Sequence, residues 1–553
     1  MSLTRLARPG EETVAALAGT VFSAGLLVLA AMYAGPLWRD EVNTLNLAQM
    51  SSLQELWDNQ TYESFPPLWP LLLRGGGLLG MAGSDAGVRV LGLYVGLLFL
   101  ISIWSGARWI GGRAPILSIA LLGGLPAFVF IVGANRAYGL ASCLLVLSFG
   151  LVWRMVELPS RLRILSCAFT CLLFAHCVYY DIVFLGAILA GASLVAIRRQ
   201  RWKVLMALAV IGAVSSGSLI IYLPIIHRGS DYASMMRYPS FDFPTLWNKL
   251  GLAASARSSA HPDGPAGPEI WLWIVLLVAG LFAAFVVQRG REHAPQNEEA
   301  AKTNAVRVRA DRALFCVASL LLGAAGHVAF LFRLHYLTQT WYYIEMLVLC
   351  AIALDGLLNV NWPALRPWGL LRIGFMAAMM TWCAGSAWEE AHTRRSNVDL
   401  VAAVLDRKAS AGDLIVVSGA WEGVTFDRYY HGRTPWVTVP PISSHKMHRN
   451  DLVMEMINQT DPMAPALQGI TDTLRSGNSV WIVGNLATKH PKPPPSSGKS
   501  WELYSKYWSG EITALLQDHA LQEQFVEIPL AGPVSHLEDL PVLRFSGYKS
   551  GAE

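Results

Sequence analysis

The chain has 553 residues, of which 53% are hydrophobic and 15% are charged, and its mean hydropathy is +0.39. A soluble domain carries about 25% charged residues, so this composition excludes a chain that is soluble throughout. The net charge of +4 is too small to indicate a nucleic-acid partner.

Long apolar segments alternate with short basic clusters over residues 1–390, whereas residues 391–553 have the composition of a soluble domain. A bilayer core requires about 20 apolar residues per helix. Eleven segments meet this requirement, at 14–35, 88–106, 115–133, 138–156, 163–179, 182–197, 204–224, 270–288, 313–332, 341–358 and 368–387. The sequence therefore predicts a polytopic α-helical membrane domain over 1–390, followed by one soluble domain over 391–553.

The basic residues predict the orientation of these segments. One set of loops is rich in arginine and lysine, at 108–113, 154–163, 198–203 and 289–312. The positive-inside rule places those loops and the N-terminus in the cytoplasm. Eleven spans then place residues 391–553 on the outer side, together with the long loops 36–87 and 225–269.

The first outer loop begins with two adjacent acids, Asp40 and Glu41, directly after the first apolar segment. The apolar residues that follow form a helical stripe, at Val42, Leu45, Leu53 and Leu56. This spacing predicts a helix that lies in the membrane interface.

The soluble domain begins with a helix pattern, a Gly-Asp turn and an apolar strand in "VDLVAAVLDRKASAGDLIVVSG". A second strand is predicted in "SVWIVG" at 479–484. These elements predict a small α/β domain.

Ionisable side chains gather at the predicted outer edge of the membrane, where they are unfavourable unless they are paired or used. Those singled out are Asp40, Glu41, Glu63, Arg136, Tyr138, His176, Asp181, Arg237 and Arg333. Cationic groups would hold a lipid phosphate, and a carboxylate would remain to act as a base. The pattern therefore favours an amphiphilic substrate with a charged head.

Four blocks carry a resemblance to a known family: "RDEVNTLNLAQ", "ESFPPLWPLLLR", the stretch 87–148 that contains "ANRAYGL", and "FAHCVYYDIVFLG". In this order they resemble the polyprenyl-phosphate-sugar-dependent glycosyltransferases of the C-type fold. That group contains the protein O-mannosyltransferases and the lipid A aminoarabinose transferase. The resemblance covers roughly the first 230 residues well and the remaining membrane region loosely.

The resemblance implies the fold and an activity. The protein would be an inverting glycosyltransferase that moves a sugar from a polyprenyl-phosphate donor to an extracytoplasmic acceptor, which is a glycan, a lipid or a protein. It would lie among the lipids of a bacterial plasma membrane as a multi-pass protein, with its C-terminal domain periplasmic or extracellular. We expect the long loop at 225–269 to order over the donor site.

The resemblance also implies residue roles. Asp40 matches the family's catalytic acid, and Glu41 would orient the acceptor or bind a metal. Four residues would bind the donor phosphate: Arg136, Tyr138, His176 and Arg333. Glu63, Asp181 and Arg237 are further candidates for substrate binding. This chain departs from the family at Phe65, where a histidine is usual, and at His335, which is inserted before Tyr336.

A different function stays open at this point. A transporter or flippase of lipid-linked saccharides would also place charged groups in a membrane domain. Such transporters often show internal repeats and charges near the middle of the membrane. Neither feature is found in this sequence, which favours the enzyme. The sugar, the acceptor and a dependence on a divalent ion, which paired acids permit, are left open by the sequence.

Overall fold

A computed structural model describes residues 9–233, 242–262, 267–292, 300–334, 338–358, 368–487 and 500–549. The helices in chain order are α1 (Pro9–Tyr33), α2 (Arg39–Ala48), α3 (Leu53–Asn59), α4 (Leu68–Leu78), α5 (Asp85–Gly111), α6 (Ile116–Leu122), α7 (Pro126–Val132), α8 (Ala137–Glu157), α9 (Arg161–Ala175), α10 (Asp181–Arg198), α11 (Trp202–Ser218), α12 (Leu223–Ala233), α13 (Phe243–Ala253), α14 (Glu269–Glu292), α15 (Ala300–Leu334), α16 (Ile344–Leu358), α17 (Trp368–His392), α18 (Val398–Lys408), α19 (Glu422–Tyr429), α20 (Asn450–Asn458), α21 (Ala464–Arg475) and α22 (Trp501–His519). The strands are β1 (Leu414–Val417), β2 (Trp436–Thr438), β3 (Val480–Val483), β4 (Ala520–Val526) and β5 (Val542–Tyr548).

The described part of the chain contains nine helical segments that are long and apolar enough to span a membrane. They are α1, α5, α8, α10, α11 continued by α12, α14, α15, α16 with the turn before it, and α17. Each matches one of the eleven predicted spans. The predicted fold class, a polytopic α-helical protein followed by an α/β domain, is confirmed.

The two other predicted spans form shorter helices. The segment 115–133 is divided into α6 and α7 by Gly123 and Gly124, and Pro126 begins the second helix. The segment 163–179 forms α9, which has 15 residues. Almost all of α6 and α7 is buried, and a broken helix is tolerated at membrane depth when protein covers it. The count of eleven crossings stays a prediction.

The C-terminal part is built on one mixed sheet with the strand order β2-β1-β3-β5-β4. Strand β1 pairs in parallel with β2 and β3, whereas β5 is antiparallel to β3 and β4. Both predicted strands are present as β1 and β3. All four residues of each are buried, because helices cover both faces of the sheet.

The two faces have separate cores. Ile415 and Val417 of β1 pack with residues of α18 and α19 on one face. Val416, between them, packs on the opposite face with α20, α21 and α22. This alternation follows from the period of two in a β-strand.

The predicted interfacial helix is wrong in two respects. The stretch forms two helices, since Ser52 caps a new helix by accepting a hydrogen bond from the Glu55 amide at 3.0 Å. Val42 and Leu45 of α2 are completely buried and pack against Val424 of α19. The apolar stripe of α2 therefore faces the C-terminal domain and not the lipid.

Candidate active site

The carboxylate of Asp40 lies in the first turn of α2, with a side chain that is 20% exposed. Three basic side chains surround it. The nearest distances to its oxygens are 3.9 Å from Arg39 Nε, 3.8 Å from Arg136 Nη2 and 4.0 Å from His448 Nε2. This arrangement keeps a carboxylate at the membrane edge accessible and beside positive charge.

Arg136 is held in place by several acceptors. Its Nη1 donates to the backbone oxygen of Asp40 at 2.9 Å, to the Thr44 hydroxyl at 2.6 Å and to Glu63 Oε1 at 3.1 Å. Its Nη2 donates to the Ser64 hydroxyl at 3.1 Å. Burial lowers the pKa of Arg136, but the charges of Glu63 and Asp40 outweigh this and raise its pKa overall. The guanidinium is therefore a fixed cation, with Nη2 on the side of Asp40.

Glu63 is the anchor of that guanidinium. Its side chain is 1% exposed, and its two oxygens also accept hydrogen bonds from Thr44 at 2.6 Å and from the Ser64 amide at 2.8 Å. The carboxylate has no open side for an acceptor. We therefore interpret Glu63 as a group that positions Arg136.

Phe65, the residue that replaces the family's histidine, packs on the same guanidinium. The Cζ atom of Arg136 lies 4.4 Å from the centre of the Phe65 ring. The ring also meets Tyr138 edge-on, at 6.2 Å between centroids. An aromatic face stabilises a cation above it, so Phe65 supports Arg136 by packing.

Glu41 is buried completely and fully engaged. Its Oε1 pairs with Arg89 Nη1 at 2.6 Å and accepts from the Asn135 amide at 2.8 Å. Its Oε2 accepts from the Trp38 amide at 3.3 Å, across the start of α2. The structure thus encloses Glu41, and we assign it to holding α2 against the membrane helices and not to contact with the acceptor.

Arg39 connects Asp40 to the C-terminal domain. Its Nη1 pairs with Glu422 Oε1 at 2.7 Å, and its amide donates to Glu538 Oε2 at 2.9 Å. Gly419 permits the first contact, because a Cβ atom there would collide with the Glu422 carboxylate. Burial raises the pKa of Glu538 to about 8, although the Arg39 charge opposes the shift.

His448 is one of the residues at this site that the sequence analysis did not select. Its amide donates to Asn43 Oδ1 at 2.8 Å, which brings its imidazole to Asp40. Burial lowers the pKa of His448 to about 4, and the opposing Asp40 charge is smaller. The imidazole is therefore neutral at pH 7, and its buried Nε2 has no hydrogen-bond partner in the described part of the chain.

The other predicted residues lie apart from Asp40 or are occupied. Tyr138 is buried beside Phe65. His176 uses both ring nitrogens, toward Tyr222 at 2.6 Å and Ser218 at 2.9 Å. Asp181 is buried at the start of α10, where it accepts from the Val178 amide at 3.0 Å. Arg237 lies outside the described residues.

Arg333 lies in the last turn of α15 and is exposed. No contact with Asp40 or Arg136 is found for it among the described residues. The phosphate-binding roles of Arg333 and His176 stay predictions, as does the role of Tyr138.

The acids around Asp40 do not form a cation site. In the described ranges, no group of three or more His, Cys, Asp or Glu residues could hold a metal ion. Glu41 and Glu63 are already paired with arginines, and two guanidinium groups face Asp40. The sequence left open a divalent ion bound by the paired acids. The acids around Asp40, as the structure arranges them, do not suit such an ion.

The chain is similar to two kinds of solved structure. One is ArnT from Cupriavidus metallidurans bound to undecaprenyl phosphate, with a TM-score of 0.45 and 14% identity over 84% of this chain and 92% of that one. The other is the Archaeoglobus fulgidus oligosaccharyltransferase tethered with an acceptor peptide, with a TM-score of 0.45 and 14% identity over 97% of this chain and 74% of that one.

Both neighbours are glycosyltransferases of the C-type fold, the group that the sequence blocks resemble. No protein-family model matches the chain, and no curated protein matches it significantly.

Proposed function

We propose that this protein is an inverting glycosyltransferase that moves a sugar from a polyprenyl-phosphate donor to an acceptor hydroxyl outside the membrane. One observation carries the proposal. Of the three acids that the sequence analysis selected around α2, Glu41 and Glu63 are enclosed by hydrogen bonds, whereas Asp40 stays partly exposed beside fixed guanidinium groups. Asp40 is thus the carboxylate with room for an acceptor.

The reaction needs a base at the acceptor hydroxyl and positive charge close to the departing phosphate. Asp40 takes the proton of the acceptor hydroxyl, whose oxygen forms the new bond to the anomeric carbon. The bond from that carbon to the phosphate oxygen breaks, and its electron pair leaves with the polyprenyl phosphate. Arg136 and Arg39 stabilise the negative charge that moves toward the phosphate. A single displacement inverts the anomeric configuration.

The basic residues at the end of the helical bundle opposite Asp40 support an orientation in which Asp40 faces outward. At the end opposite Asp40, Arg372 and Arg113 approach Glu12 at 3.3 and 3.9 Å. Arg199 pairs with Asp311 at 2.7 Å in the basic loops that the positive-inside rule assigns to the cytoplasm. We propose that Asp40 and the C-terminal domain share the extracytoplasmic face of a bacterial plasma membrane.

The test uses the purified full chain in detergent with short-chain polyprenyl-phosphate mannose, glucose, galactose and arabinose, and a cell-envelope extract as the source of acceptor. Release of polyprenyl phosphate is followed by mass spectrometry. We expect Asp40→Asn to reduce release by roughly 10²–10⁴-fold, the contribution of a general base. Asp58→Asn is the matched control, because Asp58 is an exposed acid of the same loop that contacts Gln54.

Three results would contradict the proposal: an Asp40→Asn variant as fast as the wild type, a product with retained anomeric configuration, or no release from any donor. A flippase gives a further distinct outcome. It would move the intact donor across a vesicle membrane without releasing polyprenyl phosphate.

A further inference from the structure

The C-terminal domain contains a cavity of about 400 Å³ next to Arg39. This volume lies within the range of roughly 300–1,000 Å³ that ligand pockets occupy. The cavity is lined by the residues that follow three strands: Ser418 and Gly419 after β1, Val439 after β2, and Asn485 after β3. It therefore lies at the carboxyl ends of the parallel strands.

This position is the point where the strand order of the sheet reverses. From β1 the chain passes to β2 on one side, and it then returns to form β3 on the other side of β1. The loops that leave β1 and β3 consequently diverge and open a crevice between them. In open α/β sheets, ligands bind in such a crevice.

The lining combines aromatic faces with neutral polar groups. The rings of Trp421 and Trp501 pack 4.1 Å apart at an angle of 49°, and each is partly exposed. The charged groups at the cavity are paired: Arg39 with Glu422, and Lys506 with Glu502, each at 2.7 Å. A phosphate or carboxylate would have to displace these pairs, whereas a neutral ligand with hydroxyl groups would not.

The cavity lies close to the candidate base. The ring of Trp421 lies 6.4 Å from that of His448, and His448 Nε2 lies 4.0 Å from Asp40. Arg39 lines the cavity and is also 3.9 Å from Asp40. A ligand held against Trp421 thus lies one side chain, that of His448, away from the carboxylate.

We infer that this cavity binds a neutral saccharide, which is the acceptor of the transfer. The apolar face of a sugar ring packs on an indole ring, and Ser418, Asn485 and Ser505 meet its hydroxyl groups. The saccharide extends past His448, so that one of its hydroxyl groups reaches Asp40. The assignment as acceptor rests on the proposed function, whereas the binding of the sugar does not.

The experiment measures binding to the full chain in detergent, without donor, by saturation-transfer difference NMR. The probes are maltose, cellobiose, mannobiose and galactobiose, with uridine diphosphate as a competing ligand class. At least one disaccharide is expected to bind saturably. Trp421→Ala and Trp501→Ala weaken that binding by about tenfold or more, and Trp202→Ala, an exposed residue of α11, does not.

A cavity-filling variant distinguishes loss of binding from loss of folding. Ser505 is half-buried at the rim, so Ser505→Trp blocks the cavity without removing a core side chain, and it abolishes binding. Absence of binding by all four sugars, binding of uridine diphosphate alone, or binding that Ser505→Trp leaves unchanged would overturn the inference.

Asp40→Asn separates this inference from the proposed function. The variant loses transfer but keeps the affinity for the disaccharide, because Asp40 does not line the cavity. If Asp40→Asn still transfers sugar while disaccharides bind, the proposed base is wrong and the saccharide site stands. If Asp40→Asn is inactive and no disaccharide binds, the saccharide site alone is wrong.

Discussion

The imidazole of His448 lies 4.0 Å from the carboxylate of Asp40. One residue belongs to the C-terminal domain and the other to the first helix after the first membrane span. The candidate active site is therefore completed by the domain that covers it. The contacts of Arg39 with Glu422 and Glu538 also hold the start of α2 against the C-terminal domain.

The first prediction concerns the neutral state of His448. We expect His448→Ala to reduce transfer by roughly five- to tenfold, because its buried Nε2, which has no partner among the described residues, would give the bound acceptor one hydrogen bond of about 1 kcal/mol. His448→Gln keeps most of the activity, since it offers a neutral hydrogen-bonding group without a charge. The measurement is kcat and KM at pH 7, with the exposed His431→Ala as control. A variant with a permanent cation, His448→Lys, that outperformed His448→Gln would contradict this role.

The second prediction distinguishes the structural role of Glu41 from the proposed catalytic role of its neighbour Asp40. Glu41→Gln leaves the Arg89 charge buried without its partner, which destabilises the fold by about 3–5 kcal/mol. We expect a lower Tm in detergent but a near-normal rate for each folded molecule. Adding Arg89→Gln removes the unpaired charge and restores part of the Tm. A Glu41→Gln variant with a normal Tm and no transfer would instead place Glu41 in the chemistry.

The third prediction concerns the shape of the Arg136 side chain. Lysine cannot reach the Asp40 carbonyl, Thr44 and Ser64 together, because it lacks the planar fork of arginine. We expect Arg136→Lys to lower both Tm and kcat, with a loss of about 1.5–3 kcal/mol for each charged hydrogen bond that is broken.

Arg74→Lys is the matched control for that variant. Arg74 also donates to backbone oxygens of this loop, those of Ala48 at 3.1 Å and Met50 at 2.5 Å, but at the far end of α2. It should lower Tm without lowering kcat. Equal losses of kcat in the two lysine variants would show that Arg136 has only a structural role.

The fourth prediction is a pH dependence of stability that originates at Glu538. Its pKa is about 8 in the folded protein because of burial, and an unfolded glutamate has a pKa of about 4.3. Between these values the folded state holds a proton that the unfolded state has released. Stability therefore falls as the pH rises through this window, by up to about 1.4 kcal/mol per pH unit.

Glu538→Gln tests this dependence, because the amide cannot titrate. The Tm of the variant should fall less than that of the wild type between about pH 5 and 8. Glu523→Gln, at an exposed position of β4, should behave as the wild type does. Parallel Tm curves for the wild type and Glu538→Gln would contradict the origin assigned here.

Much of the fold could be predicted because it depends on local patterns. The nine helices of the described ranges that are long and apolar enough to span a membrane follow from runs of apolar residues. Strands β1 and β3 follow from the short apolar runs LIVV and VWIV. The prediction of an interfacial helix was wrong because one apolar pattern is compatible with two environments. The stripe of α2 suits lipid or protein equally well, and only the position of Val424 decides between them.

Some features of the candidate site could likewise be predicted from the sequence, and others could not. By itself the sequence determined a membrane protein with an acid at the end of its first span, because hydropathy is a property of the chain as written. The order of its sequence blocks predicted that Arg136 belongs to the same site. Only the tertiary structure decided that Asp40 stays accessible while Glu41 and Glu63 are enclosed, and that Arg39, His448 and Trp421 lie beside it. The physical reason is that pairing and burial depend on which groups folding brings within a few ångströms, and those groups come from segments hundreds of residues apart.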